Sequence, residues 1–179
     1  FPYTTLFRSN IINKSTNLNP LPMGILVALI MGIIITSPIS SAAVAISLGL
    51  SGLSAGAATI GCACHMVGFA VAGYKDNGFN GLISHGLGTS KLQMANSIKN
   101  PLILVPPMAA SVILGGVGAA IFKMENNKIG AGMGTSGLVG QFTTFEVMGE
   151  KSLIPMLLLH FIFPAVIALL VSGIMRKTG

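Results

Sequence analysis

Long uncharged runs dominate the chain, and short polar breaks interrupt them. Residues 20–39, PLPMGILVALIMGIIITSPI, carry no charge. About 20 apolar residues rising 1.5 Å each cross a bilayer core of roughly 30 Å. The run predicts a membrane-spanning helix, stopped or kinked at Pro38, whose ring nitrogen cannot donate to the helix ladder. Residues 41–73 are also apolar but built from Ala, Gly and Ser: SAAVAISLGLSGLSAGAATIGCACHMVGFAVAG. This run is too long for one span and short for two, so it predicts two helices, one of them short. Gly52 and Gly56 make a G-x-x-x-G pair, which Ala57 and Gly61 continue as a ridge of small residues. Such ridges let backbones approach closely. Both helices are expected inside a bundle rather than against lipid.

The pattern turns polar over residues 74–100, which carry Lys75, Asp76, His85, Lys91 and Lys99. A surface loop plus an amphipathic or re-entrant piece is expected there. Residues 101–122 form the next apolar span, loosened by Pro106-Pro107 and Gly115-Gly116. Residues 123–141 are polar and rich in glycine, and residues 142–151 are mixed. Residues 153–175 predict the last span, anchored by Arg176 and Lys177. The fold class expected is an all-α membrane protein, a polytopic helical bundle with re-entrant or broken helices. Lysines and arginines fall at almost every break, so the positive-inside count is nearly balanced.

Composition sharpens this picture. Of 179 residues, 52% are hydrophobic and 8% charged, and mean hydropathy is +0.82. Soluble domains carry about 25% charged residues, so the solvent here is lipid. Trp is absent, which removes the usual Trp belt, and 23 glycines suit close helix contacts and broken helices. The net charge of +6 comes from single residues scattered between apolar runs, with no aromatic-interleaved basic stripe, so no nucleic-acid partner is expected. Cys62 and Cys64 are too close to pair comfortably and have no second cluster to complete a metal site. They read as small buried thiols. The ten methionines read as core filler.

Residues 1–9, FPYTTLFRS, are what one frame of a common sequencing-library adapter encodes (TTT CCC TAC ACG ACG CTC TTC CGA TCT). They are expected to be an artefact and the remainder a fragment; a genuine leader is the alternative. The organisation expected is therefore an artefact over 1–9, a linker over 10–19, a partial transmembrane domain over 20–175 and a tail over 176–179.

Residues 130–141, GAGMGTSGLVGQ, satisfy G-x-G-x-x-G at Gly132, Gly134 and Gly137. A dinucleotide fingerprint needs a strand before it and an acid about 20 residues later. Here residues 123–128 precede it and Leu157-Leu158-Leu159 follow at that distance, so the context fails. A phosphate loop needs Gly-Lys-Ser/Thr, and no Lys follows these glycines. The remaining readings are a broken membrane hairpin and a plain loop outside the membrane. In a hairpin, glycines turn without Cβ clashes, and freed peptide groups can hold a polar substrate. Thr135, Ser136 and Gln141 add neutral donors and acceptors that suit a sugar. Gly88-Thr89-Ser90 and Gly134-Thr135-Ser136 are weakly alike.

Three blocks carry a family resemblance: residues 21–54 (LPMGILVALIMGIIITSPISSAAVAISLGLSGLS), 55–73 (AGAATIGCACHMVGFAVAG) and 123–141 (KMENNKIGAGMGTSGLVGQ). They resemble the C-terminal half of the phosphotransferase-system IIC membrane family, in the branch that includes the perfringolysin-O regulator-like proteins. The resemblance covers roughly residues 21–149. It implies a multi-pass, dimeric permease in a bacterial plasma membrane. Such a permease moves a sugar that a IIB partner, charged by IIA, phosphorylates. The glutamate and histidine motifs of the well-described sugar permeases have no match here. A membrane sensor that kept the fold without transport, and an unrelated ion-coupled transporter, are the alternatives.

Glu125, flanked by Asn126 and Asn127, is expected to bind substrate, because a carboxylate and two amides can accept and donate to hydroxyls; a solvated acid paired with Lys123 or Lys128 is the alternative. His65 is a candidate because an ionisable group at membrane depth is costly to keep. His85, near Thr89, Ser90 and Gln93, is another. Thr135, Ser136 and Gln141 complete the expected set. His160 lies four before Pro164 and reads as a kink with a hydrogen-bonded His; Glu146 reads as interfacial. No Ser–His–Asp order, paired catalytic acids or H-E-x-x-H motif occurs, so no catalytic residue, metal or cofactor of the chain's own is expected.

Overall fold

The computed structural model describes residues 2–178, with side chains described for 10–177. Ten α-helices follow in order: α1 (Pro2–Leu18), α2 (Pro20–Thr36), α3 (Ser41–Leu48), α4 (Leu53–Ala72), α5 (Tyr74–Ile83), α6 (Met94–Lys99), α7 (Val105–Ala120), α8 (Val139–Met148), α9 (Leu153–Leu157) and α10 (Phe163–Thr178). Among the described residues no strand forms. The protein is an all-α membrane bundle: three helical stretches, Leu53–Ala72, Pro101–Ala120 and Ser136–Lys177, are long and apolar enough to cross a bilayer, and α2 is a shorter apolar helix.

Local chemistry sets the breaks. Pro20 starts α2, where a missing N–H costs nothing, and Ser37-Pro38 ends it. Ser40 caps α3 by accepting from the Ala43 N–H, and Gly49, at φ 60°, closes that helix in the left-handed conformation. Gly52, at φ 59° and ψ −131°, then turns the chain into α4.

Helices α2, α4 and α7 pack on one another, and α10 closes the bundle against α4 and α7. α4 is the centre, buried at every residue from Ser54 to Ala70. Of its most apolar window 89% is buried, against 22% for the stretch containing α10, so α4 is interior and α10 faces outward. α2 runs parallel to α4, with Gly61 against Ala28 and Gly32 against His65. α7 runs antiparallel to both, with Gly115 against Gly24 and Ala28, and Ser111 beside Gly61. Gly24, Ala28 and Gly32, spaced by four, thus form the α2 face of the closest helix contacts, with no side chain long enough to hold the backbones apart.

Residues 10–18 are the second half of α1, and Asn13 ties that helix to the α3–α4 break by donating to the Gly49 carbonyl at 3.0 Å. Two expectations change. The Gly52–Gly56 pair does not face another helix. Gly52 exchanges backbone hydrogen bonds with Asn126 (3.0 and 3.2 Å), and Gly56 lies against the Met124 carbonyl, where a Cβ would collide. The mixed residues 142–151 contain most of α8, which turns Phe142, Phe145, Glu146 and Val147 outward.

Candidate functional site

After α7 the chain leaves helical geometry and runs beside the central helix. Met124 packs at Gly56, Asn126 at Thr59, Ala131 and Gly134 at Cys62, and Thr135 at Met66. Ten helical residues rise about 15 Å, so the segment follows α4 through much of its depth. Gly130, Ala131, Gly132, Gly134 and Thr135 are all buried. Gly134, at φ 55°, turns where a Cβ would meet the backbone of Cys62 and Ala63. The protein itself satisfies the freed peptide groups: Ser41 Oγ donates to the Gly132 carbonyl at 2.6 Å, and the Ala131 N–H reaches the Asn127 carbonyl at 3.0 Å. Irregular backbone survives at membrane depth only under such cover. Residues 130–135 are therefore packed inside the protein rather than hung outside it, whereas Gly137 and Leu138 are exposed.

A second irregular segment enters from the opposite end of α4. Residues Ser84–Gly88 form a widened, π-type turn, and Gly86 lies against Ala70. The two segments meet through the hydroxyls of one and the carbonyls of the other. Thr135 Oγ1 donates to the Gly86 carbonyl at 2.5 Å and Ser136 Oγ to the Gly88 carbonyl at 2.9 Å. Beside this junction the α2–α3 turn adds Ser40 and Ser41, and Lys91 Nζ holds the Ile39 carbonyl at 2.9 Å. Together these elements enclose a cleft of about 170 Å³, lined by Ser40, Ser41, Thr89, Lys91, Gly132 and Ser136 over an apolar base of Ile35 and Met66.

The structure sorts the expected residues by position. Ser136 lines the cleft, and Thr135 is fully buried behind it. His65 stands one residue before Met66 on α4, its Nδ1 at 3.1 Å from Thr36 Oγ1, which lies 3.4 Å from Ser90 Oγ. Its Nε2 has no partner among the described residues, and Phe69 meets its ring edge-on at 6.0 Å. His85 is buried in the Ser84–Gly88 turn and does not line the cleft. Its Nδ1 is 2.7 Å from the Gly81 carbonyl, which can only accept, so the proton sits on Nδ1. Nε2 then accepts from Gln93 Nε2 at 3.0 Å.

The remaining expected residues lie elsewhere. Asn126 is a clamp: its Nδ2 faces Thr59 Oγ1 at 2.8 Å, Thr144 Oγ1 at 3.0 Å and the Gly140 carbonyl at 3.1 Å, and its Oδ1 accepts from the Asn127 N–H at 2.8 Å. Asn127 Oδ1 accepts from the N–H groups of Ile129 and Gly130, shaping the next turn. Glu125 is exposed, outside the cleft. Gln141 pairs with His160 Nδ1 at 3.0 Å, and Gln141 Oε1 and His160 Nε2 have no partner among the described residues. His160 sits in a second π-type turn, Leu158–Ile162, where the Phe163 N–H reaches back to the Leu158 carbonyl. This is the expected kink, since Pro164 offers no N–H to the carbonyl of residue 160.

Four lining residues were not singled out from sequence: Ser40, Ser41, Thr89 and Lys91. One signal did point to Thr89. The two Gly-Thr-Ser pieces that read as weakly alike are the pieces that meet. A family model described as "Phosphotransferase system, EIIC" matches residues 3–179. No curated protein and no solved structure matches the chain.

Proposed function

The chain belongs to the phosphotransferase-system EIIC family, and on that premise we propose that it binds an uncharged sugar in the cleft between the two irregular segments. Membership makes it a membrane component of a phosphotransferase-system transporter. The finer reading is a permease that hands the sugar across the plasma membrane of a bacterium while a IIB partner, charged by IIA, phosphorylates it. A homodimer of the full-length protein belongs to the same reading.

One observation carries it: the two breaks join through a buried contact, Thr135 with the Gly86 carbonyl beside Met66, and an exposed one, Ser136 with the Gly88 carbonyl. Broken elements meeting inside a bundle are how transporters expose peptide groups to a substrate. The lining offers hydroxyls and carbonyls but no carboxylate, which suits a neutral polyol. Lys91, the charged lining residue, is already engaged with the Ile39 carbonyl. The permease's share in phosphoryl transfer is then positioning, because holding a hydroxyl in line removes much of the entropic barrier. At about 170 Å³ the cleft lies below the roughly 300–1,000 Å³ of ordinary ligand sites. Transport therefore requires the two segments to part.

Phosphoenolpyruvate-driven uptake into vesicles carrying the full-length protein with IIA and IIB tests this. Ser136→Ala combined with Thr89→Ala should lower uptake about tenfold or more, since each neutral hydrogen bond contributes about 1 kcal/mol. Glu125→Gln should leave uptake nearly unchanged; an equal loss there would move the site to the outer end of the segment. Binding without flux when both partners are present would assign the chain to sensing. Uptake driven by a proton or sodium gradient would overturn the phosphotransfer reading.

A further inference from the structure

A larger cavity, of about 650 Å³, opens at the end of the bundle where α4 and α10 finish and α7 begins. It lies outside the hairpin cleft, and none of its lining residues belongs to that cleft. We propose that it is a second binding site, selective for a neutral polyhydroxylated ligand. In its ligand class the proposal rests on the sugar reading above; in its location it does not.

The chemistry of the walls is specific. Four carboxamides, Asn77, Gln93, Asn96 and Asn100, line the cavity, with Ser172 across from them on α10. A carboxamide donates and accepts at once, as a hydroxyl does, so a row of them matches a row of hydroxyls. Phe69 and Pro106 give the same cavity an apolar surface for the C–H face of a ring. The volume falls within the ordinary range of small-molecule sites.

The charges in the cavity are already matched. Arg176 Nη2 donates to Asp76 Oδ2 at 2.8 Å and to the Ala72 carbonyl at 3.1 Å. An anionic ligand would have to compete with Asp76 for that guanidinium, and a cation with Arg176 for that carboxylate. A neutral ligand faces neither competition.

Three of the four amides are also held in one orientation. The proton on His85 Nδ1, fixed by the Gly81 carbonyl, makes Nε2 an acceptor. Gln93 must therefore turn its NH₂ toward His85 and its Oε1 outward, where Asn96 Nδ2 donates to it at 2.8 Å. Asn96 consequently presents Oδ1 away from Gln93. Asn100 uses its own Oδ1 to cap the Leu102 N–H at 3.2 Å, leaving its NH₂ group for other partners. A row so fixed loses little freedom when a ligand arrives.

The cavity also adjoins the buried polar cluster. Phe69 lines it and packs edge-on against His65. The Ser90–Gln93 turn divides the two sites: Ser90 faces Thr36 inside, and Gln93 faces the cavity. A sugar held here stands one side chain and one turn away from the inner cluster, as in an antechamber.

These 179 residues contain no Trp, so once any Trp elsewhere in the full-length protein is replaced by Phe, a single introduced indole reports locally. Leu102 lines the cavity and is 60% exposed, which makes Leu102→Trp a mild change. The full-length Leu102→Trp protein, in lipid nanodiscs, is titrated with glucose, mannitol and cellobiose while its emission is followed. A saturable shift with at least one of these is expected. Adding Asn96→Leu, or separately the cavity-filling Ser172→Leu, should raise the midpoint about tenfold or abolish the shift. Adding Ser136→Val should leave it unchanged. No saturable shift from any of the three sugars, in a protein that still takes up sugar, would overturn the second site while leaving the hairpin cleft standing. A shift that survives in a protein without uptake would keep this site and sink the transport reading. A shift equally sensitive to Ser136→Val would merge the two sites into one and overturn the proposal.

Discussion

Replacing Asn126 by alanine should destabilise the folded protein by about 2–4 kcal/mol, while Glu125→Ala beside it should cost less than about 0.5 kcal/mol. The pair sits in one short motif, and sequence alone favoured the glutamate. The structure reverses that emphasis. Asn126 is 1% exposed and joins three parts of the chain: α4 through Thr59, α8 through Thr144 and the Gly140 carbonyl, and the α3–α4 break through the Gly52 bridge. Hydrogen bonds inside membrane proteins average about 0.6 kcal/mol and reach about 1.7, because the unfolded state in lipid also finds partners. Several lost together, with a cavity left behind, give the expected total. Asn126→Asp is a sharper version, since it keeps the shape but supplies no donor to the two threonines, and the Gly140 carbonyl would face a carboxylate. Thermal unfolding in nanodiscs measures both. A Glu125→Ala loss as large as that of Asn126→Ala would contradict the clamp.

The second large effect is expected at Gly61. Gly61→Ala should cost about 3 kcal/mol, while Gly173→Ala, the same substitution in another helix, should be neutral or slightly stabilising. A Cβ at Gly61 would fall on the Cα, carbonyl carbon and carbonyl oxygen of Ala28. These are backbone atoms in the middle of α2, so no rotamer change can relieve the clash and the whole helix must shift. That shift would also separate Gly32 from His65 and open the contact between Thr36 and Ser90. At Gly173 a Cβ would meet nothing within 4 Å. Unfolding midpoints of the two variants decide the matter. Equal midpoints would show that α2 and α4 do not lie as close as described.

The features legible in the sequence are those with a local cause. The spans ending at Pro38 and beginning at Pro101 could be read because proline and apolar length act within one turn of chain. The division of residues 41–73 into a short and a long helix followed from run length and glycine placement, and α3 and α4 bear it out. The kink at His160 followed from Pro164 four residues on. Long-range hydrogen bonds left no such trace. Asn126 and Thr59 are 67 residues apart, and Ser41 and the Gly132 carbonyl are 91 apart. Nothing in the composition of either segment reveals that pairing. Asn13 likewise bonds to residues 49 and 51, and nothing in residues 10–19 signals that tie. Lys91 looked like one more boundary lysine, and only the fold brings it beside the α2–α3 turn. The amide-lined cavity gathers residues from α5, α6 and α10, so no single window contains it.

Thiol labelling tests the central claim most directly, because Cys62 and Cys64 are both 0% exposed and any cysteine elsewhere in the full-length protein is first replaced by Ser. Ser136→Cys and Glu125→Cys are made separately in the full-length protein, in membranes, and exposed to a membrane-impermeant maleimide with and without saturating transported sugar. Glu125→Cys should react fast and ignore the sugar. Ser136→Cys should react slowly, and the sugar should slow it about tenfold further. If Ser136→Cys instead reacts as fast as Glu125→Cys and sugar has no effect, the glycine-rich segment is not folded beside α4, and no sugar is held where the two segments meet.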